Sequence, residues 1–174
     1  WAALRWFHGA SQAVMAATPA LAGELRARGF GNVVLWPRGV DAGQFHPRPV
    51  DLGLPRPVFL CVGRVAVEKN LEAFLELDLP GTKLVVGDGP VRSALTRKFP
   101  DAVFLGPQRN GVLAGIYAAA DVFVFPSRTD TFGIVLLEAM AAGAPIVCSD
   151  IHGYKGVVRR GEQALLVPPK DPDA

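Results

Sequence analysis

Val58-Phe59-Leu60-Cys61-Val62 runs directly into Gly63-Arg64-Val65-Ala66-Val67-Glu68-Lys69-Asn70, and the reading of that junction decides the fold. Five apolar residues of high β-propensity predict a buried strand, a glycine ends it, and a segment of helical period begins at Asn70. From Val58 onward the same alternation of short apolar run and helical segment repeats, as successive βαβ units of a parallel sheet require. Strands are expected over Val58–Val62, Lys83–Val86, Val103–Leu105, Val122–Phe125, Pro145–Cys148 and Leu165–Val167. Helices are expected over Asn70–Leu77, Pro90–Lys98, Val112–Ala119, Phe132–Ala142 and Lys155–Arg159. Pro90 suits a first helical turn, Gly143 suits the position after a helix end, and Pro80 and Pro100 stop what precedes them. The fold class that follows is α/β with a doubly wound parallel sheet.

Upstream the layout changes. A helix-like start, a strand Ala13–Ala17, a helix Pro19–Arg28 and a strand Val33–Trp36 look like the closing units of a preceding α/β domain. The segment 47–57 contains four prolines and follows no period, which makes it the natural linker. Residues 1–50 are therefore expected to end an amino-terminal domain and cross over, and 51–174 to form a second domain truncated at its carboxyl end. Trp1 in place of Met, and a final Pro168-Pro169-Lys170-Asp171-Pro172-Asp173-Ala174 that leads into no helix, fit a fragment.

At 174 residues, half of them hydrophobic, the chain can bury a sizeable core. A formal charge of +2 without a Lys/Arg cluster argues against nucleic acid as a partner. Cys61 and Cys148 each lie within an apolar strand, as reduced, cytosolic cysteines do. The longest apolar stretch, Phe132 to Cys148, holds Glu138, Gly143 and Pro145 and fits a helix followed by a strand better than a membrane span. His8, His46 and His152 have no metal-ligand spacing around them, and Asp171-Pro172-Asp173 reads as helix capping in preference to a metal pair.

Two constellations carry chemistry. Arg64 and Lys69 follow the first strand of the sheet, at the carboxyl edge where ligands bind in such folds, and there they can converge on a diphosphate. The alternative is two solvated loop cations. The second constellation is Asp130 and Glu138, eight positions apart, or on the order of 10 Å along a helix. Ile134, Val135, Ala141 and Ala142 occupy the helical neighbour positions of Glu138, so any partner must come from another segment. Phe132, Gly133 and Ile134 would present unpaired N–H groups at a helix start, a ready anion site. Asp130 reads equally well as an N-cap. Gly87-Asp88-Gly89-Pro90 is a glycine-rich turn without a dinucleotide fingerprint, so tight turning explains it nearly as well as phosphate does.

In their order these pieces resemble the donor-binding half of a GT-B glycosyltransferase, similar to the retaining family four type. The matching residues are Gly39-Val40-Asp41 with Phe45 and Pro47, Val62-Gly63-Arg64 with Glu68-Lys69-Asn70, and Gly87-Asp88-Gly89-Pro90. Ala120-Asp121-Val122 with Pro126-Ser127, Asp130 through Glu138 with Ala139-Met140-Ala141, Gly143, Pro145-Ile146-Val147 and Leu166-Val167-Pro168-Pro169 complete the set. The resemblance implies a Rossmann-like, GT-B donor-binding half that takes a UDP-sugar or GDP-sugar and moves a hexose to an acceptor hydroxyl with retention. It implies Arg64 and Lys69 on the diphosphate, Glu138 on the ribose, and Asp130 with the backbone of Phe132, Gly133 and Ile134 on the donor sugar and distal phosphate. It also implies no metal or other cofactor, a cytoplasmic protein, and a peripheral membrane contact through the missing domain. The family usually has Glu where Asp130 stands, and a Glu a few residues after the position of Gly153. A non-catalytic nucleotide-sugar binding module, a sugar-nucleotide epimerase and a phosphorylase are the alternatives on this fold.

Overall fold

The computed structural model describes residues 1–130, 132–151, 154 and 157–169. Two parallel sheets are present among them. The smaller pairs β1 (Val14–Ala16) with β2 (Val33–Leu35), joined through helix α2 (Pro19–Ala27) and preceded by α1 (Ala2–Gly9). Thr18 starts α2: its hydroxyl accepts from Leu21 N at 3.1 Å, and Pro19 fills the first position, where its missing N–H is not needed.

The larger sheet holds β3 (Val58–Val62), β4 (Thr82–Val86), β5 (Val103–Gly106), β6 (Val122–Phe125), β7 (Ile146–Ser149) and β8 (Leu165–Val167). Its spatial order is β5-β4-β3-β6-β7-β8, and every adjacent pair is parallel. The connecting helices are α3 (Leu71–Leu75), α4 (Arg92–Lys98), α5 (Asn110–Ala119) and α6 (Ile134–Ala141). β3 and β4 are almost wholly buried because helices cover both sheet faces, which is why they read as continuous apolar runs without alternation. The chain winds outward from β3 to β5, returns, and winds the other way from β6 to β8. Winding therefore reverses between β3 and β6, and their carboxyl ends open the crevice where ligands bind in doubly wound sheets.

Two glycines fix the loop after β3. A Cβ on Gly87 would lie 1.9 Å from Gly63 O, and one on Gly89 would lie 2.2 Å from Val65 O. Backbone meets backbone there, with Gly63 N donating to Val86 O at 3.0 Å and Val65 N to Asp88 O at 2.9 Å. The Gly87-Asp88-Gly89 turn thus owes its glycines to packing against the 63–65 loop.

Element boundaries differ from expectation where a side chain or a left-handed residue intervenes. The Asn70–Leu77 helix is a 3-10 turn, Val67–Lys69, then Asn70 at φ 52°, then α3 from Leu71. α6 starts at Ile134 in place of Phe132, since Gly133 is left-handed at φ 76°. Of the Lys155–Arg159 helix, Lys155 and Gly156 lie outside the described residues, and Val157 to Arg159 form no helix. Asp171-Pro172-Asp173 and His152 also lie outside them. Cys61 and Cys148 are buried, and burial pushes each thiol up to about 12. Among the described residues no helix is long and apolar enough to cross a membrane.

Candidate functional site

The loop after β3 and the loop after β6 are stitched together at the reversal point. Arg128 N donates to Glu68 O at 3.0 Å, and the fully buried Ser127 hydroxyl donates to Thr129 O at 2.8 Å. Lys69 is the last residue of the 3-10 turn, and the left-handed Asn70 follows it. Its ammonium lies 2.9 Å from Asp130 Oδ2, within reach of Thr129 O at 3.4 Å, and 5.5 Å from the centre of the Phe125 ring. Both side chains of this ion pair are mostly buried, with 18% and 16% of their area exposed.

Asp130 serves both readings offered by the sequence. Oδ1 accepts from Phe132 N and Gly133 N, each at 3.2 Å, so the carboxylate caps the turn into α6. Oδ2 holds the lysine. The structure thereby brings Lys69, Asp130, Phe132 and Gly133 into one cluster at the ends of β3 and β6. Ile134 is at the exposed first position of α6, where an N–H has no intrahelical partner. Arg64 projects from the same loop but is two-thirds exposed, and its contact is Glu68 at 3.7 Å.

Gly133 is required for two reasons. Its φ of 76° disfavours a side chain, and an added Cβ would come within 2.9 Å of the Tyr154 ring. Tyr154 is fully buried; burial first, and the charge of Asp130 second, push its phenol far up. Its hydroxyl neighbours that of Ser127, but their geometry falls short of a hydrogen bond. Tyr154 follows the glycine after which the resemblance leads one to expect a glutamate.

Glu138, half-buried one turn into α6, has its partner on another helix, as the apolar composition of its own demanded. The partner is no cation. Tyr117 of α5, fully buried, donates its hydroxyl to Glu138 Oε2 at 2.7 Å. Burial raises the carboxyl pKa and this hydrogen bond opposes the rise. Tyr117 escaped the sequence reading because a tyrosine amid Ile116, Ala118 and Ala119 looks like core. The one available signal was the unpartnered acid itself, which needed a donor from a facing helix.

The crevice therefore offers a cation and a capped helix start, and the helix that begins there carries a hydrogen-bonded carboxylate one turn on, a combination suited to an anion linked to a polyol. Among the described residues no group of three or more His, Cys, Asp or Glu could hold a metal ion.

Comparisons with known proteins bear on the family and the fold. The sulfoquinovosyl transferase SQD2 of Arabidopsis thaliana is 33% identical over 98% of the chain and 38% of its own length. A GDP-mannose-dependent alpha-mannosyltransferase of Mycobacterium tuberculosis is 34% identical over 97% of the chain and 47% of its own. The chain thus spans less than half the length of these relatives. The solved structure of sucrose-phosphate synthase from Thermosynechococcus elongatus superposes with a TM-score of 0.75, at 30% identity, over 93% of this chain and 46% of that one. The family model described as Glycosyl transferases group 1 matches residues 56–174. Two-thirds of the chain, including the whole six-stranded sheet and its crevice, is covered by that match, and the chain belongs to the glycosyl transferases of group 1, with the GT-B fold.

Proposed function

We propose that the crevice between the ends of β3 and β6 binds a nucleoside-diphosphate sugar, a UDP-sugar or GDP-sugar, and that the intact protein moves its hexose to an acceptor hydroxyl with retention at the anomeric carbon. The observation that carries this reading is the 2.9 Å meeting of Lys69 with the acid that caps α6, at the point where the sheet reverses its winding. A GDP-mannose-dependent relative supports the donor class.

In this reading Arg64 and Lys69 take the diphosphate, and Glu138 accepts hydrogen bonds from the ribose hydroxyls. Asp130 and the start of α6, Phe132 through Ile134, hold the sugar and the distal phosphate. Negative charge develops on the leaving diphosphate as the anomeric bond breaks. Fixed cations and helix-start N–H groups stabilise it without reorganising, in place of a metal or any other cofactor. The arriving phosphate shares Lys69 with Asp130, whose carboxylate is retained at the helix start by its two backbone donors.

The acceptor side belongs to sequence outside these residues, so residues 1–174 alone bind nucleotide and transfer no sugar. In this proposal that part of the protein binds the acceptor, a lipid, a glycan or a small molecule, and makes any peripheral contact with the inner face of the membrane. The test is a thermal-shift comparison of UDP, GDP and ADP on the full-length protein. One of the first two should raise the melting temperature, and Glu138→Ala should abolish the rise. If none of the three stabilises the unmutated protein, the donor site has been misassigned.

A further inference from the structure

Tyr117 is placed to do more than fill the core. Its ring lies edge-on to Phe45 with centroids 5.6 Å apart, and 5.4 Å from Phe123. Phe123 stacks on Phe125 at 6.0 Å, and Phe125 packs on Tyr154 at 5.7 Å. This row of five rings touches candidate site residues at three points. Tyr117 holds Glu138, Phe125 lies under the Lys69 ammonium, and Tyr154 abuts Gly133.

A phenylalanine would pack in the row equally well, so packing does not explain the hydroxyl. A buried hydroxyl is costly unless bonded, and here its bond goes to an acid whose own helix offers it no partner. Glu138 has three rotatable side-chain bonds, whose freedom must be given up when the carboxylate is held for a ligand. Anchoring Oε2 removes much of that freedom before any ligand arrives. Among the described residues Oε1 accepts no hydrogen bond, which leaves it as the acceptor for a ligand.

We infer that Tyr117 is a positioning residue for donor recognition: its hydroxyl fixes the Glu138 carboxylate so that Oε1 faces the ribose of the nucleotide. The inference rests on the reading of Glu138 as the ribose acceptor.

Calorimetry on the full-length protein separates the two. The probes are UDP and GDP with their 2′-deoxy and 3′-deoxy counterparts; the proteins are the unmutated chain, Tyr117→Phe, Glu138→Gln and the double variant. Tyr117→Phe keeps the ring and both aromatic contacts, so its fold is retained, as the melting temperature will verify. A positioning role predicts that it weakens the preferred ribonucleotide by about tenfold, the worth of one hydrogen bond to a charged group. Deoxy forms should be weakened less, and the double variant should bind no worse than Glu138→Gln. If Tyr117→Phe keeps the ribose preference, or weakens ribo and deoxy forms equally, while Glu138→Gln loses that preference, the positioning role is wrong and the ribose reading stands. If Glu138→Gln binds every probe as the unmutated protein does, the ribose reading fails and takes the inference with it.

Discussion

Two carboxylates of this chain titrate in opposite senses, and each reports a different physical situation. Asp121 accepts from Val58 N at 2.7 Å and pairs with Arg56, and the backbone hydrogen bond above all lowers its pKa below the ordinary 3.8. It stabilises the fold at pH values above that ordinary value, and the contribution is lost as pH falls through the depressed one. Glu138 is the reverse case. Burial raises its pKa above 4.5, so the folded protein favours the neutral acid, and ionisation carries a cost at pH 7 that is relieved as pH falls through the raised value. Glu138→Gln, whose amide oxygen can still accept from Tyr117, should therefore melt slightly above the unmutated protein at pH 7 while binding nucleotide less well. The gap should close as the pH is brought below about 4.5. Calorimetric melting at pH 7, 5 and 4 checks the sign; a variant that melts lower at pH 7 would contradict it. A site residue whose loss stabilises the fold is an ordinary outcome where burial of a charge serves binding.

At the level of elements, the loop carrying Arg64 and Lys69 is held by its neighbour's lack of side chains. Gly89→Ala places a methyl 2.2 Å from Val65 O, so the two loops must part. The expected loss is about 1–3 kcal/mol, together with weaker nucleotide binding, measured by denaturant unfolding and calorimetry. Gly23→Ala, within α2 with nothing within 4 Å of the new methyl, is the control and should be neutral or slightly stabilising. This contrast bears on what the sequence could disclose. The β3-to-β8 strands were legible to within a residue or so because period and punctuation are local. The position of Lys69 at the carboxyl edge of the sheet was legible in the same way, but its ion pair with Asp130 was not, since that depends on which strand lies beside β3. The reason for Gly87 and Gly89 was not legible, because a glycine kept for close approach reads like one kept for turning. The start of α6 was misplaced for the same kind of reason: an aspartate bonding forward to Phe132 and Gly133 delays the helix without altering its apolar pattern. Tyr117 was invisible because its role depends on the rotation of α5 against α6.

Across the whole molecule, stability is unevenly shared. The six-stranded sheet and its helices enclose one large core that includes Phe45 and extends to Ala164, whereas the β1–β2 unit buries only Ala16, Ala22, Phe30 and Val33 as its own cluster. Met15, Trp36, Trp6 and Phe7 in that unit are exposed, Trp6 by 84%. Amide hydrogen exchange of residues 1–174 should accordingly run faster in β1 and β2 than in β3, β4 and β6, by more than tenfold; uniform protection would show that the two clusters unfold together. The pairing of cations in the crevice has a kinetic counterpart. Lys69 is neutralised by Asp130, and Arg64 has Glu68 beside it. An approaching anion beyond a Debye length therefore feels little pull from this edge, and recruitment should be nearly indifferent to ionic strength, with discrimination deferred to contact.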